Sequence, residues 1–200
     1  MNAIIESPGK SLLAGLAIAG LVLVLWIATA GVDPLGLVSY VLRFLHVMGA
    51  MVWVGLIWFV NVIQLKALAE ADDPARAALQ KWIVLPVAKN FRHASHLTVI
   101  SGLLLLLTTG YLLDRWIFAS TVYVPPLRNL LLWGGTLAGA AMWVFANLLI
   151  WPSLRVLLGE TPADPAAKVA ARERVRFYAR LNLILALPVT FVMVAAAHLY

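Results

Sequence analysis

The sequence predicts an all-α integral membrane protein, a bundle of five transmembrane helices with the N-terminus inside and the C-terminus outside. Three observations carry this reading. The 200 residues are 63% hydrophobic and 12% charged, against about 45–50% and about 25% in a soluble domain. The apolar runs recur at or above the ~20 helical residues that cross a hydrocarbon core. The basic residues gather in the second and fourth connecting segments, as cytoplasmic loops require. That clustering accounts for the net charge of +6 without nucleic acid. One membrane domain, residues 1–200, is expected, multi-pass in the inner cell membrane.

Residues 1–10, with Glu6 and Lys10, form a short polar head. The first span covers residues 11–30. It ends in Ala28-Thr29-Ala30, which resembles a signal-peptidase site, but the run is longer than the about 7–15 apolar residues of a signal core. A retained anchor is expected. Pro34 lies in a turn at 31–36 that leads into the second span, 37–65. The polar segment after it holds Lys66, Glu70, Asp72, Asp73, Pro74, Arg76, Lys81 and Lys89. Residues 75–85 of this segment are expected to lie at the membrane surface as a short amphipathic helix anchored by Trp82.

The third span is 91–113. A loop from Asp114 to Arg128, with Trp116, Tyr123 and Pro125-Pro126, joins it to the fourth span, 129–151, which Pro152 closes. Arg155, Lys168, Arg172, Arg174, Arg176 and Arg180 then face Glu160, Asp164 and Glu173 in sequence. They read as a solvated, positive-inside flank or as an attractor for an anionic substrate or acidic headgroups. The fifth span is 177–200, with Pro188 expected to kink it and free a carbonyl.

The absence of cysteine excludes disulfides, thiolate metal sites and covalent haem attachment through Cys-x-x-Cys-His. No Ser-His-Asp arrangement, P-loop or GxGxxG context appears. The informative residues are the polar ones inside the spans, where such groups are costly unless they face protein or a ligand. The second span holds Arg43, His46, Asn61 and Gln64 beside Trp53, Trp58, Gly49 and Gly55.

His46 and His198 fall at similar depth near the outer face, which suits bis-imidazole ligation of haem b. Arg43, one turn from His46, suits a propionate, and Trp53 suits either a macrocycle wall or the filling of the bundle. The competing reading makes His46 a hydrogen-bonded interhelical imidazole and His198 an interfacial residue. His93 and His96, three residues apart near the inner face, can share a metal ion, or one of them can ligate a second haem. Asn61, Gln64, Asn147 and Asn182 read as interhelical glue or as substrate contacts.

Four stretches resemble a known family: FLHVMGAMVWVGLIWFVNVIQ (44–64), FRHASHLTVISGLLLL (91–106), MWVFANLLIWPSL (142–154) and ARLNLILALPVTFVMVAAAHLY (179–200). They are similar to the urate hydroxylase membrane domain, also called the urate oxidase N-terminal domain. His46, Asn61, Asn147, Trp151, Pro152, Asn182, Pro188 and His198 are the matching positions. Ser153-Leu154 stands where the family often carries Asn-Gln, and its cytochrome c domain has no counterpart in these 200 residues. The second-span pattern also resembles the copper-resistance D proteins and the J-type protoporphyrinogen oxidases.

The resemblance implies a b-type haem electron-transfer protein or oxidoreductase acting on urate or a related purine. Electrons would leave to a cytochrome c, a quinone or another redox subunit. The expected partners are the bilayer, that redox partner and a second copy of the chain. The alternatives are a copper-handling or transport protein built on the histidines, and a structural subunit of a larger complex.

Overall fold

The computed structural model describes residues 2–110 and 126–198. The expected loop residues Asp114, Trp116, Tyr123 and Pro125, the end of the third span (111–113) and Tyr200 lie outside the described residues. Among the described residues there is no strand, and five helices are long and apolar enough to cross a membrane. They are α1 (Pro8–Ala30), α2 (Pro34–Glu70), α3 (Asp73–Thr108), α4 (Leu127–Leu157) and α5 (Pro165–His198). A four-residue helical turn, Asn2–Ile5, precedes α1. The chain divides into two compact units, residues 1–40 and 41–200.

In the first unit, the Ser7 hydroxyl accepts from the Lys10 amide and Pro8 takes the first helical position, so α1 starts at a capped end. No residue of α1 is buried, so its leucines and valines present an apolar surface of the kind a bilayer solvates. Gly31, at φ +61°, ends the helix in a conformation other residues rarely adopt. Asp33 Oδ2 then accepts from the Gly36 amide at 2.6 Å, capping α2 with Pro34 at its first position.

In the second unit, Trp53, Ile57, Ala94, Met142 and Ala186 form a buried cluster. It draws on α2, α3, α4 and α5. Small residues let the helices approach. A Cβ on Gly49 would stand 2.7 Å from Thr98 Oγ1 and 3.1 Å from the Thr98 backbone nitrogen. A Cβ on Gly135 would meet Val192 Cγ2 at 2.9 Å. Close backbone approach of this kind drives helix association in lipid.

The helices run further than hydropathy alone places them. Residues 75–85 are not a separate surface helix. They are the opening of α3, which starts where Asp72 Oδ1 accepts from the Ala75 amide and continues to Thr108. Trp82 is exposed there, as an interfacial anchor should be. Pro152 does not close the fourth helix, which continues to Leu157.

Pro152 and Pro86, which lies inside α3, are carried by the same device. Proline removes an amide donor and its ring crowds the carbonyl four residues earlier. For Pro86 and Pro152 those carbonyls belong to Trp82 and Leu148. Each lies in a stretch of π-helix, Gln80–Val84 and Phe145–Ile150, where the wider turn makes room. A third π-helical stretch, Phe59–Gln64 in α2, has no proline after it. It holds Asn61, whose Nδ2 donates to the Ile57 carbonyl four residues back and so competes with the helical ladder. Helix α5 passes through Pro188 without a break.

Candidate functional site

All three π-helical stretches border one cavity of about 1100 Å³ in the second unit. A π turn shifts the helical register, so residues beyond it face a direction that a uniform α-helix would not give them. Phe59–Gln64 contributes Asn61 and Gln64 to the lining, Gln80–Val84 contributes Gln80 and Val84, and Phe145–Ile150 contributes Asn147. Asn182, from α5, is 1% exposed and lines the same space. These four amides (Asn61, Gln64, Asn147, Asn182), read from the sequence as interhelical glue or substrate contacts, all line the one cavity.

Two of the amides, Asn61 and Asn147, serve in part as interhelical glue. Asn61 Nδ2 donates to the Ala179 carbonyl of α5 at 3.1 Å. Asn147 Nδ2 donates to Ser95 Oγ of α3 at 3.1 Å and to the Trp143 carbonyl. The rest is uncommitted. Asn61 Oδ1, Gln64 Oε1, Asn147 Oδ1 and both amide atoms of Asn182 are buried without a protein hydrogen-bond partner, as is Arg92 Nε. Buried polar atoms in folded proteins are nearly always paired. Here five residues that break that rule line one cavity, and between them they hold four unpaired acceptors and one unpaired amide donor beside a guanidinium.

The charge on the lining is one-sided. Lys168, Arg172, Arg176 and Arg180 recur every four residues, hence on one face of α5, and all four line the cavity. Lys66, Arg76 and Arg92 join them, against the single carboxylate of Glu173. Lys66 is paired with Glu70 and Arg76 with Asp73. Among the described residues the other five cations have no carboxylate within ion-pair distance. The basic flank read from residues 155–180 is therefore also a cavity wall.

None of the four histidines lines this cavity. His46, half-buried, donates from Nδ1 to the Thr98 carbonyl at 2.8 Å. Its ring lies flush against Gly102, where a Cβ would stand 2.8 Å from Cε1 and Nδ1. This is the interhelical hydrogen bond of the competing reading. It is also the arrangement that fixes a ligand histidine, because the neutral ring then carries its lone pair on Nε2.

His198 is exposed at the end of α5. From the Asn61–Ala179 contact, His46 is fifteen residues back along α2 and His198 nineteen residues on along α5. At ~1.5 Å per residue these are about 22 and about 28 Å, so their depths agree within about one turn. Two imidazoles at matched depth are the donors that haem b would need. Arg43 is exposed.

His96 accepts from Trp143 Nε1 at 2.9 Å through Nδ1. Its neutral ring then carries its proton on Nε2, leaving no lone pair for a second haem. His93 is exposed. Among the described residues no three or more His, Cys, Asp or Glu groups come together as a metal ion needs. Trp53 is 4% exposed, packs edge-on against Phe91 at 6.3 Å between centroids, and leaves Nε1 without a partner. Phe91 lines the cavity, so this aromatic pair reaches from the cavity toward the level of His46, seven residues before Trp53 on α2.

Sequence reading missed Arg92 as a site residue and did not pair it with Trp151. Arg92 lies three residues before Ser95, and Trp151 four after Asn147. No family model, curated protein or solved structure matches this chain.

Proposed function

We propose that this chain is a multi-pass membrane protein that binds a small anion rich in N–H donors in the basic cavity, from the side its loops mark as cytoplasmic. The observation that supports it is the set of buried, unpaired amide acceptors at Asn61, Gln64, Asn147 and Asn182 under a rim of uncancelled cations. A ligand with several N–H groups satisfies the acceptors, and its negative charge meets the cations. The family resemblance supplies a molecule of this kind. Urate is a flat purine anion bearing both N–H and C=O groups.

On that resemblance we read the chain as an oxidoreductase for urate or a related purine. His46, with its Nδ1 held by Thr98, and His198 would hold haem b. When bound, the haem supplies a one-electron acceptor whose electrons pass to a cytochrome c or a quinone. His46 would hold its ligating nitrogen in a fixed tautomer, and Trp53 with Phe91 stands between the cavity and that level of the helix.

Equilibrium dialysis of purified protein against labelled urate, beside pyridine-haemochrome spectra of the wild type and His46→Ala, tests both parts. Saturable binding of one urate, with a haem b spectrum that His46→Ala abolishes, is the expected result. Urate binding by colourless protein removes the redox assignment and leaves the cavity assignment. No binding by the wild type refutes the cavity assignment.

A further inference from the structure

Resting on the reading of the cavity as an anion site, the geometry points to Arg92, stacked on Trp151, as the residue that reads the ligand's charge. Arg92 and Ser95 share one face of α3, three residues apart, and Asn147 and Trp151 share one face of α4, four apart. The two faces meet in two contacts. Ser95 Oγ accepts from Asn147 Nδ2 at 3.1 Å. The Arg92 guanidinium lies 4.9 Å from the centroid of the Trp151 ring. An indole beside a guanidinium at this distance is a favourable cation–π arrangement, and it holds the guanidinium at the cavity wall.

The other cavity cations are less suited to the task. Lys168, Arg172, Arg176 and Arg180 are exposed, where water and salt weaken a charge–charge contact. Arg76 is half-buried, but its guanidinium is committed to Asp73 and to the carbonyls of Leu68 and Ala71. Arg92 is half-buried and lines the cavity, and its Nε is buried without a partner. Nε and one Nη form an in-plane fork that matches two adjacent acceptor atoms of an oxyanion, a match that lysine cannot reproduce. Arg92 therefore binds the charged edge of the ligand, while the unpaired amides of Asn147 and Asn182 bind its uncharged part. The rim arginines gather anions without discriminating among them.

The test uses full-length protein in phosphatidylcholine nanodiscs, with urate as the probe and Arg174→Gln, an exposed residue outside the cavity lining, as the control. Arg92→Lys and Arg92→Gln should each weaken urate binding by about tenfold or more, with thermal midpoints near wild type and Arg174→Gln unchanged. Hypoxanthine, uncharged at pH 7, should bind the wild type and the Arg92 variants alike, or none of them.

Urate affinity within about twofold of wild type in both variants overturns the assignment of Arg92 alone. So does hypoxanthine binding that falls in step with urate. No urate binding by wild type overturns the cavity reading beneath it. Repeating the measurement in phosphatidylglycerol nanodiscs separates two sources of oxyanion. Affinity that holds there supports a soluble ligand, and affinity lost there overturns it in favour of a lipid headgroup.

Discussion

Asn182→Leu should make the ligand-free protein more stable and the ligand-binding protein useless. Asn182 is 1% exposed, and neither its Nδ2 nor its Oδ1 has a protein partner. A buried polar group left unsatisfied costs about 1–3 kcal/mol, whereas an apolar group of similar shape removes that cost. Leucine is close to asparagine in size and good in a helix, so a gain of about 1–3 kcal/mol is expected without ligand. At one thousand times its dissociation constant, a ligand adds about 4.1 kcal/mol to the wild type. It adds nothing to a variant that cannot bind. Thermal unfolding in detergent, followed by circular dichroism with and without urate, should therefore reverse the order of the two proteins. A ligand-free Asn182→Leu protein that melts below wild type would mean that the amide serves the fold, and the argument from unpaired amides would fail.

Four further substitutions or conditions probe other links. Gly49→Ala pushes a methyl to 2.7 Å from Thr98 Oγ1 and 3.1 Å from its backbone nitrogen, and should cost about 1–3 kcal/mol of stability. Gly55→Ala, with nothing within 4 Å, should hold or raise the thermal midpoint, since alanine is the better helix former, and equal midpoints for the two would contradict the close approach of α2 and α3. Gly102→Ala drives a methyl into Cε1 and Nδ1 of His46. It should displace the ring from the Thr98 carbonyl and lower haem content, read as Soret absorbance per protein. Raising salt from about 0.01 M to about 1 M shortens the screening length from ~30 Å to ~3 Å. Urate association, followed by stopped-flow fluorescence, should slow markedly, because the rim cations of α5 are exposed.

Hydropathy and charge made the five long helices legible, because a stretch of about 20 apolar residues has few other stable settings. Their ends were less legible. Pro86 and Pro152 look like helix stops, yet the π turns before them absorb the missing amide and the ring, and a local pattern cannot say which outcome wins. The amides were visible as a set, since Asn61, Gln64, Asn147 and Asn182 all interrupt apolar runs near one end. Their convergence on a cavity was not visible, because facing depends on the π turns at Asn61 and Asn147. Arg92 was hidden by its position beside a charged segment, where an arginine ordinarily reaches water. His46 kept both of its readings, since a hydrogen bond from Nδ1 to a neighbouring helix is common to a structural imidazole and to a ligand.

The chain's lack of cysteine allows the central claim to be tested at one position. Ala88 is half-buried and lines the cavity, so Ala88→Cys places a lone thiol in its wall. Its reaction with a membrane-impermeant maleimide should proceed in inside-out vesicles, not in right-side-out ones, and saturating urate should slow it severalfold. A labelling rate indifferent to urate, or reaction from the outer face alone, would contradict a cytoplasm-facing anion site.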